Sequence, residues 1–305
     1  MTIRKNYPLK KLTTLSVGGP AKYFLAVKTE ADLLRAMGFA KQKNLPWYML
    51  GEGSNMVVSD KGYPGVIIQN QIQKFERRGN LVTVGAGNNL LKFILKLDKL
   101  GLSGMERMAG IPGTVGGAVY GCAGAYGQEI KDRLAAVRFF DGKKLKSFTA
   151  KQAGFGYRTS IFKKHKNWII TEASFTLNRT TAAKLVKISK DTMKLREIKY
   201  KPGLKCPGSF FKNLKASEIK VPAELGSSVV YGKLPAGVLL EKVGAKGRRQ
   251  GSIRIARHHA NLIYNPKNGR AADVKKLANK LKALVKNKFG IIIEEEVQYL
   301  GFNKT

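Results

Sequence analysis

Glycine places the strongest constraint on this chain. From Met108 the sequence reads Met-Ala-Gly-Ile-Pro-Gly-Thr-Val-Gly-Gly-Ala-Val-Tyr-Gly-Cys-Ala-Gly-Ala-Tyr-Gly, ending at Gly127. Each glycine inside a helix or strand costs about 0.5–1 kcal/mol relative to alanine, so no long regular element fits here. Pro112 and the apolar residues Ile111, Val115, Ala118 and Val119 separate the stretch from a flexible linker, and it reads as an ordered, buried loop. Main chain without side-chain cover lets another molecule approach closely, and successive N–H groups form a nest for an anion. A diphosphate is the expected guest.

The rest of the chain supplies a sizeable apolar frame. With 305 residues, 43% of them hydrophobic, it is long enough for two or three packed domains. No run reaches the roughly 18–20 apolar residues that span a bilayer, and the start, Met1-Thr-Ile-Arg-Lys-Asn-Tyr7, has no apolar signal core. A soluble, cytoplasmic protein is expected, with no membrane partner. Cys122 and Cys206 are too few for a disulfide framework and are read as reduced thiols.

Charge points elsewhere at first sight. The chain carries 56 Lys+Arg against 20 Asp+Glu, a net +36, which by itself suggests nucleic-acid binding. The lysines are spread through nearly every segment and are not interleaved with aromatics as a base-stacking groove requires. No specific nucleic-acid partner is therefore expected. A positive field also steers phosphate-bearing ligands.

Taken in order, Ala21–Val27 reads as a strand. Thr29-Glu-Ala-Asp32 reads as a capped helix start with Leu33, Leu34, Met37 and Ala40 on one face. Strand Trp47–Leu50 then enters Gly51-Glu-Gly-Ser-Asn55, the beginning of an α/β nucleotide-binding unit without a G-x-G-x-x-G fingerprint. Val66–Ile68 and Leu81–Gly85 are further strands, and Asn89 to Leu100 is a helix with Leu90, Phe93, Ile94, Leu97 and Leu100 inward, stopped by Gly101. Asp141-Gly142 turns a hairpin between Ala136–Phe140 and Lys144–Phe148. After strand 168–177, a Lys-rich helix from Thr181 to about Lys199 leads to Pro202-Gly203, which is taken as the domain boundary. Near the C-terminus, Val274, Leu277, Ala278, Leu281, Leu284 and Val285 line one helix face closed by Gly290. Ile291–Tyr299 reads as a terminal strand with Glu294 and Glu296 on one face and Glu295 on the other.

Three polar constellations stand out. Arg158 sits among aromatic and β-branched residues in Phe155–Phe162, and a guanidinium can give two parallel hydrogen bonds to a carboxylate or enolate. Ser209 follows a glycine but lacks the Gly-x-Ser-x-Gly elbow of a hydrolase. His258-His259 has no Cys or carboxylate at ligand spacing, so no metal is expected and His259 is read as a substrate-side group or loop brace.

These motifs resemble UDP-N-acetylenolpyruvoylglucosamine reductases, often called MurB. The resemblance rests on Ala109–Ala118 with Gly121–Gly127, and runs in order through Thr13–Ala21, Gly51–Asn55, Gly156–Ser160, Gly208–Asn213, His259–Asn261 and Glu296-Val297. It implies an α+β fold, with a two-lobed FAD-binding domain of the PCMH/vanillyl-alcohol-oxidase type and a smaller α+β C-terminal substrate domain. The expected ranges are 1–199 (lobes of about 1–70 and 71–180, then a connecting helix) and 200–305.

The resemblance also implies a function in peptidoglycan precursor synthesis, in which NADPH reduces noncovalent FAD and the flavin reduces UDP-N-acetylglucosamine enolpyruvate to UDP-N-acetylmuramate. FAD contacts are carried over to Gly51, Glu52, Gly53, Ser54, Asn55, Ala109, Gly110, Ile111, Pro112, Gly113, Thr114, Gly116, Gly117, Gly121, Ala123 and Gly124. Substrate contacts are carried over to Tyr157, Lys212, Asn213 and His259. Arg158 and Glu296 would hold the substrate carboxylate, Glu296 with a raised pKa in the complex, and Ser209 would be the proton donor. A monomer of the family's shorter subtype is expected. Three positions depart from the family pattern: Cys122 stands where Asn is usual, Glu295 where Pro is usual, and Leu214 where Pro is common. A different oxidase on the same fold would share residues 1–180 but not the Arg158, Ser209, Glu296 set.

Overall fold

The computed structural model describes residues 1–302. The chain packs into two compact units, neither of them continuous: residues 1–5, 23–52 and 65–198 form the first, and residues 6–22, 53–64 and 199–302 form the second. The chain passes from the first unit to the second for the last time between Ile198 and Lys199, and the two early segments that join the second unit were not foreseen.

A four-stranded sheet runs in the order β1 (Ile3–Pro8), β2 (Pro20–Val27), β5 (Tyr63–Asn70), β3 (Trp47–Leu50), with β3 and β5 parallel, and residues 3–5, 23–27, 47–50 and 65–70 of it belong to the first unit. Helix α1 (Glu30–Gln42) lies between β2 and β3 in sequence, and its cap is the one anticipated: Thr29 Oγ1 accepts from Asp32 N at 3.0 Å, and Asp32 accepts from Lys28 N at 3.1 Å. The buried stripe is Leu33, Ala36 and Ala40, whereas Leu34, expected inward, is 51% exposed. One residue is about 100° around a helix, and the 33/36/40 stripe takes the whole width that faces the core.

A second sheet is antiparallel throughout, ordered Leu145–Thr149, Leu134–Phe140, Ile169–Thr176, β7 (Leu81–Gly85), β6 (Phe75–Arg78). The expected hairpin is present, with Asp141 Oδ1 accepting from the N–H groups of Lys143 and Lys144, each at 2.8 Å. Helix α2 (Leu90–Lys99) buries Leu90, Phe93, Ile94 and Leu97 against this sheet, with Asn89 as N-cap and Gly101 (φ +68°) ending it. Leu100, expected inward, is the C-cap residue and is exposed.

The second unit is built around Phe210, Phe211, Leu239, Leu240 and the buried face of helix Ala271–Phe289, joined by Leu15, Val17 and Val57 from the early segments. Asp60 caps that helix from a distance, its carboxylate accepting from Ala271 N at 2.8 Å and Ala272 N at 3.0 Å. Gln298–Leu300 pairs in parallel with β4 (Met56–Val58). The terminal strand is thus shorter than expected. Among the described residues, 291–297 form one isolated bridge, Phe211 with Glu295, flanked by the backbone bonds of the short Phe210–Lys212 segment to Glu294 and Glu296, and no continuous strand. No helix among the described residues is long and apolar enough to cross a membrane.

Candidate active site

In the first unit the glycine stretch is ordered by hydrogen bonds to its neighbours. Gly113 O accepts from Leu90 N at 2.9 Å, Ile111 N donates to Met108 O at 3.1 Å, and Ala109 is fully buried. Gly110 (φ +86°) packs on Arg196, and Gly113 (φ +121°) and Pro112 carry the chain into α3 (Val115–Gly121), whose N-cap Thr114 accepts from Gly117 N at 3.1 Å. Val115 N and Gly116 N donate to the carbonyls of Asn88 and Ala86, each at 2.9 Å. The expected row of open N–H groups is therefore not found at 115–118; the protein's own carbonyls and Thr114 occupy them.

What the stretch leaves open is space. A Cβ on Gly121 would meet nothing within 4 Å and one on Gly117 only Thr114 Oγ1 at 3.4 Å, whereas one on Gly116 would stand 2.8 Å from Ala86 Cβ. Gly116 is a close-packing glycine, and Gly117 is exposed to open space. Thr114 also stands beside the other expected loop, its Oγ1 2.7 Å from where a Cβ on Gly51 would lie, and Glu52 accepts from Asn89 Nδ2 at 2.9 and 3.0 Å. The structure thus joins the start of Gly51–Asn55 to Ala109–Gly117, although Gly51 and Thr114 are 63 positions apart in sequence.

Arg158 adopts a left-handed backbone conformation (φ +54°), uncommon for a residue with a side chain. Its Nη1 donates to Cys122 O at 3.0 Å and its Nη2 to Gly124 O at 2.7 Å, while the guanidinium carbon lies 5.3 Å from the Tyr157 ring centre. Ala123 N bonds back to Ala118 O at 2.8 Å. The arginine and the end of the glycine stretch therefore fix one another. Cys122 is itself left-handed (φ +45°, ψ +59°) and caps α3. Asn tolerates that conformation better than other residues with a side chain, which gives a physical reason for the family's usual Asn there. The thiol is buried, and burial pushes its pKa up to about 11.

In the second unit Ser209 and Glu296 lie on adjoining strands of chain: Glu296 N donates to Phe210 O at 2.8 Å and Lys212 N to Glu294 O at 2.9 Å. Asn261 holds the serine segment from behind, accepting from Phe211 N at 2.8 Å and donating to Phe211 O at 2.8 Å. Asn55 Nδ2 donates to Glu296 O at 3.1 Å, while Asn55 Oδ1 is buried with no hydrogen-bond partner among the described residues. Gly53 (φ +64°) and Ser54 sit at the turn before it, with Thr14 Oγ1 donating to Ser54 O at 3.0 Å. Lys212 pairs with Glu294 at 2.8 Å, so Glu294 is drawn to that lysine and its pKa is lowered. Asn213 Oδ1 accepts from Ala236 N at 3.3 Å, and Glu295 pairs with Lys282 at 3.0 Å. His259 Nδ1 accepts from Asn261 N at 3.1 Å, so its remaining ring proton is on Nε2, and burial followed by the nearby Lys199 charge lowers its pKa to about 4.

Two residues next to Ser209 were missed in the sequence: Lys199 Nζ lies 3.0 Å and Tyr200 Oη 3.1 Å from Ser209 Oγ. Their only sequence signal was position, at the end of a basic helix nine and ten residues before the serine. Asn89 was read only as a helix start, and Asp60 was not singled out.

Residues 200–300 match the UDP-N-acetylenolpyruvoylglucosamine reductase C-terminal domain, and residues 21–143 match an FAD binding domain. The UDP-N-acetylenolpyruvoylglucosamine reductase of Solibacter usitatus is 42% identical, covering 99% of this chain and 97% of its own length. That of Bacillus subtilis is 33% identical, over 98% of this chain and 94% of its own. The crystal structure of the Thermus caldophilus enzyme (MurB) superposes with a TM-score of 0.79 at 31% identity, covering 98% of this chain and all of that one. Such agreement over nearly the full length settles ancestry: the chain belongs to the UDP-N-acetylenolpyruvoylglucosamine reductase family.

Proposed function

We propose that this protein reduces UDP-N-acetylglucosamine enolpyruvate to UDP-N-acetylmuramate with NADPH as reductant and FAD as cofactor, in peptidoglycan precursor synthesis. The observation that carries the reading is the juxtaposition of Ser209 and Glu296 across the Phe210–Glu296 backbone bond, in a chain that matches the family from end to end. Residues 1–199 are proposed to bind FAD and residues 200–305 the substrate. We further propose that it acts in the cytoplasm as a monomer, without a nucleic-acid partner.

The residues present fit FAD. The open positions at Gly117 and Gly121 suit a ligand that fills the space beside the glycine stretch. The cofactor would be held by Gly51–Asn55, Ala109–Thr114, Gly116, Gly117, Gly121, Ala123 and Gly124. When bound, FAD supplies the hydride, taken from NADPH, that saturates the enolpyruvyl double bond at C3. The chain's own groups manage charge and proton. Arg158, oriented by the Cys122 and Gly124 carbonyls, is assigned to the substrate carboxylate together with Glu296, so that the developing enolate charge is spread over the carboxylate. Ser209 Oγ–H is assigned to protonate C2, and Tyr157, Lys212, Asn213 and His259 to flank the substrate.

Stopped-flow absorbance of the flavin tests the assignment. Ser209→Ala is expected to keep flavin reduction by NADPH and to slow reoxidation by the enolpyruvyl substrate about 10²- to 10⁴-fold. Reoxidation at the wild-type rate would remove Ser209 from the proton-donor role.

A further inference from the structure

The Ser209 hydroxyl stands in a closed geometry that the proton-donor role alone does not require. Gly208 (φ +89°) turns the chain into it, and Phe210 N and Phe211 N are both tied to Asn261, at 3.0 and 2.8 Å, so the serine's main chain is fixed. Two side chains then converge on Oγ: the Lys199 ammonium at 3.0 Å and the Tyr200 hydroxyl at 3.1 Å. Lys199 is fixed in turn, since His258 Nε2 donates to its carbonyl at 2.9 Å, and its ammonium lies 5.1 Å from the Tyr200 ring centre.

Hydrogen-bond capacity decides what this cluster does. A serine oxygen has one proton to give and two lone pairs to fill. The lysine ammonium can only donate, so it takes one lone pair. Tyrosine can donate or accept. If Ser209 donated to Tyr200, its proton would be spent inside the cluster. If Tyr200 donates, both lone pairs of Oγ are occupied and the serine proton is forced into the one remaining direction, away from Lys199 and Tyr200.

We propose that Tyr200 and Lys199 are positioning residues that aim the Ser209 proton outward and restore it after transfer. The inference rests on the reading of Ser209 as the proton donor. In the transfer the Ser209 O–H bond breaks and a C–H bond forms at substrate C2, leaving an alkoxide at Oγ. Both neighbours then make charge-assisted bonds to that alkoxide, which are about twice as strong as neutral ones. A Lys199 N–H bond breaks as the Ser209 O–H bond re-forms, and the neutral amine recovers its proton from solvent water. No electron moves in this cycle.

The test uses the FAD-loaded protein, reduced beforehand with NADPH and mixed with UDP-N-acetylglucosamine enolpyruvate in H₂O and in D₂O. Tyr200→Phe removes one oxygen and keeps the ring. It is expected to lower the limiting reoxidation rate about 10-fold, and Lys199→Met about 10²-fold, as loss of one neutral and one charged donor to a developing alkoxide predicts. The solvent isotope effect on reoxidation should rise in both, because proton transfer becomes rate-limiting. Flavin reduction by NADPH and the substrate concentration at half-maximal rate should stay within twofold of wild type. Ser209→Ala separates the two layers of argument. If it reoxidises at the wild-type rate, the donor reading itself fails. If it is slow while Tyr200→Phe and Lys199→Met retain the wild-type limiting rate and isotope effect, only the present inference is overturned. A Lys199→Met protein whose half-saturation concentration rises at unchanged limiting rate would likewise overturn it, by making Lys199 a substrate anchor.

Discussion

Gly116 and Gly117 are adjacent in α3, yet their surroundings predict opposite responses to the same methyl group. Neither is in the left-handed region, so alanine gains helix propensity at both, worth about 1 kcal/mol. At Gly117 nothing opposes that gain in the protein alone, because the new Cβ meets only Thr114 Oγ1, at 3.4 Å. At Gly116 it would stand 2.8 Å from Ala86 Cβ and 3.0 Å from Ala86 O. Overpacking of that kind costs about 1–3 kcal/mol and exceeds the propensity gain. One kcal/mol moves the melting midpoint of a domain this size by about 2–4 °C. Flavin-free Gly117→Ala should therefore melt a few degrees above wild type and flavin-free Gly116→Ala at or below it. Binding should run the other way for Gly117, since the methyl enters the space assigned to the cofactor. Titration of apoprotein with FAD, followed by quenching of flavin fluorescence, is expected to show at least about tenfold weaker binding, and Gly117→Val still weaker binding. A Gly117→Ala protein that is stabilised and also binds FAD with wild-type affinity would refute that placement of the cofactor.

Asp98 is 1% exposed, its Oδ2 has no hydrogen-bond partner among the described residues, and burial raises its pKa to about 6. The folded state thus holds this proton more tightly than the unfolded chain, so stability falls as pH rises from about 4 through 6, by about 3 kcal/mol in full. Asp98→Asn should raise the melting midpoint at pH 7.5 and lose most of that advantage at pH 4.5; equal gains at both would contradict the cause. His259 has the opposite sign. Its lowered pKa means that stability present above about 6.5 is lost as pH falls toward 4, and its ring NMR signals should stay flat between pH 8 and 5.5, with a midpoint near 6.5 counting against burial. Cys122, buried with a pKa of about 11, should resist iodoacetamide at pH 8 until denaturant is added, and acid should release the flavin free of protein. Prompt alkylation or flavin retained in the precipitate would refute that account.

Local signals were readable wherever one short segment decided the outcome. Thr29 and Asn89 announce helix starts, Asp141-Gly142 a turn and Gly290 a stop, because capping and turn chemistry act within a few residues. Leu34 and Leu100 show the limit of periodicity: an apolar residue beside the buried stripe is not thereby buried, and the width of the face depends on what packs on it. Residues 291–297 failed as a strand for a similar reason, since alternation describes a chain's faces but not whether a partner runs alongside. At the site, the residue types were visible in the motifs, while their pairing was not. That Thr114 meets Gly51, that Arg158 is anchored on Cys122 and Gly124, and that Lys199 and Tyr200 close on Ser209 are consequences of tertiary packing. The N–H groups of 115–118 show how a glycine pattern can suggest an open nest where the fold satisfies the donors itself.

The interleaving of the chain bears on how it is made. Asn55 and Glu296 are hydrogen-bonded 241 residues apart, and Met56–Val58 finds its parallel partner only in Gln298–Leu300. At about 5–20 residues per second, a ribosome needs roughly 12–50 s to deliver the second half of that pairing. Until then the nascent protein carries Leu15, Val17 and Val57 with no core to enter. These early segments are natural clients for a holdase chaperone. A fragment beginning at Lys199 lacks them and should aggregate when synthesised alone, and residues 1–64 supplied in trans should improve its solubility.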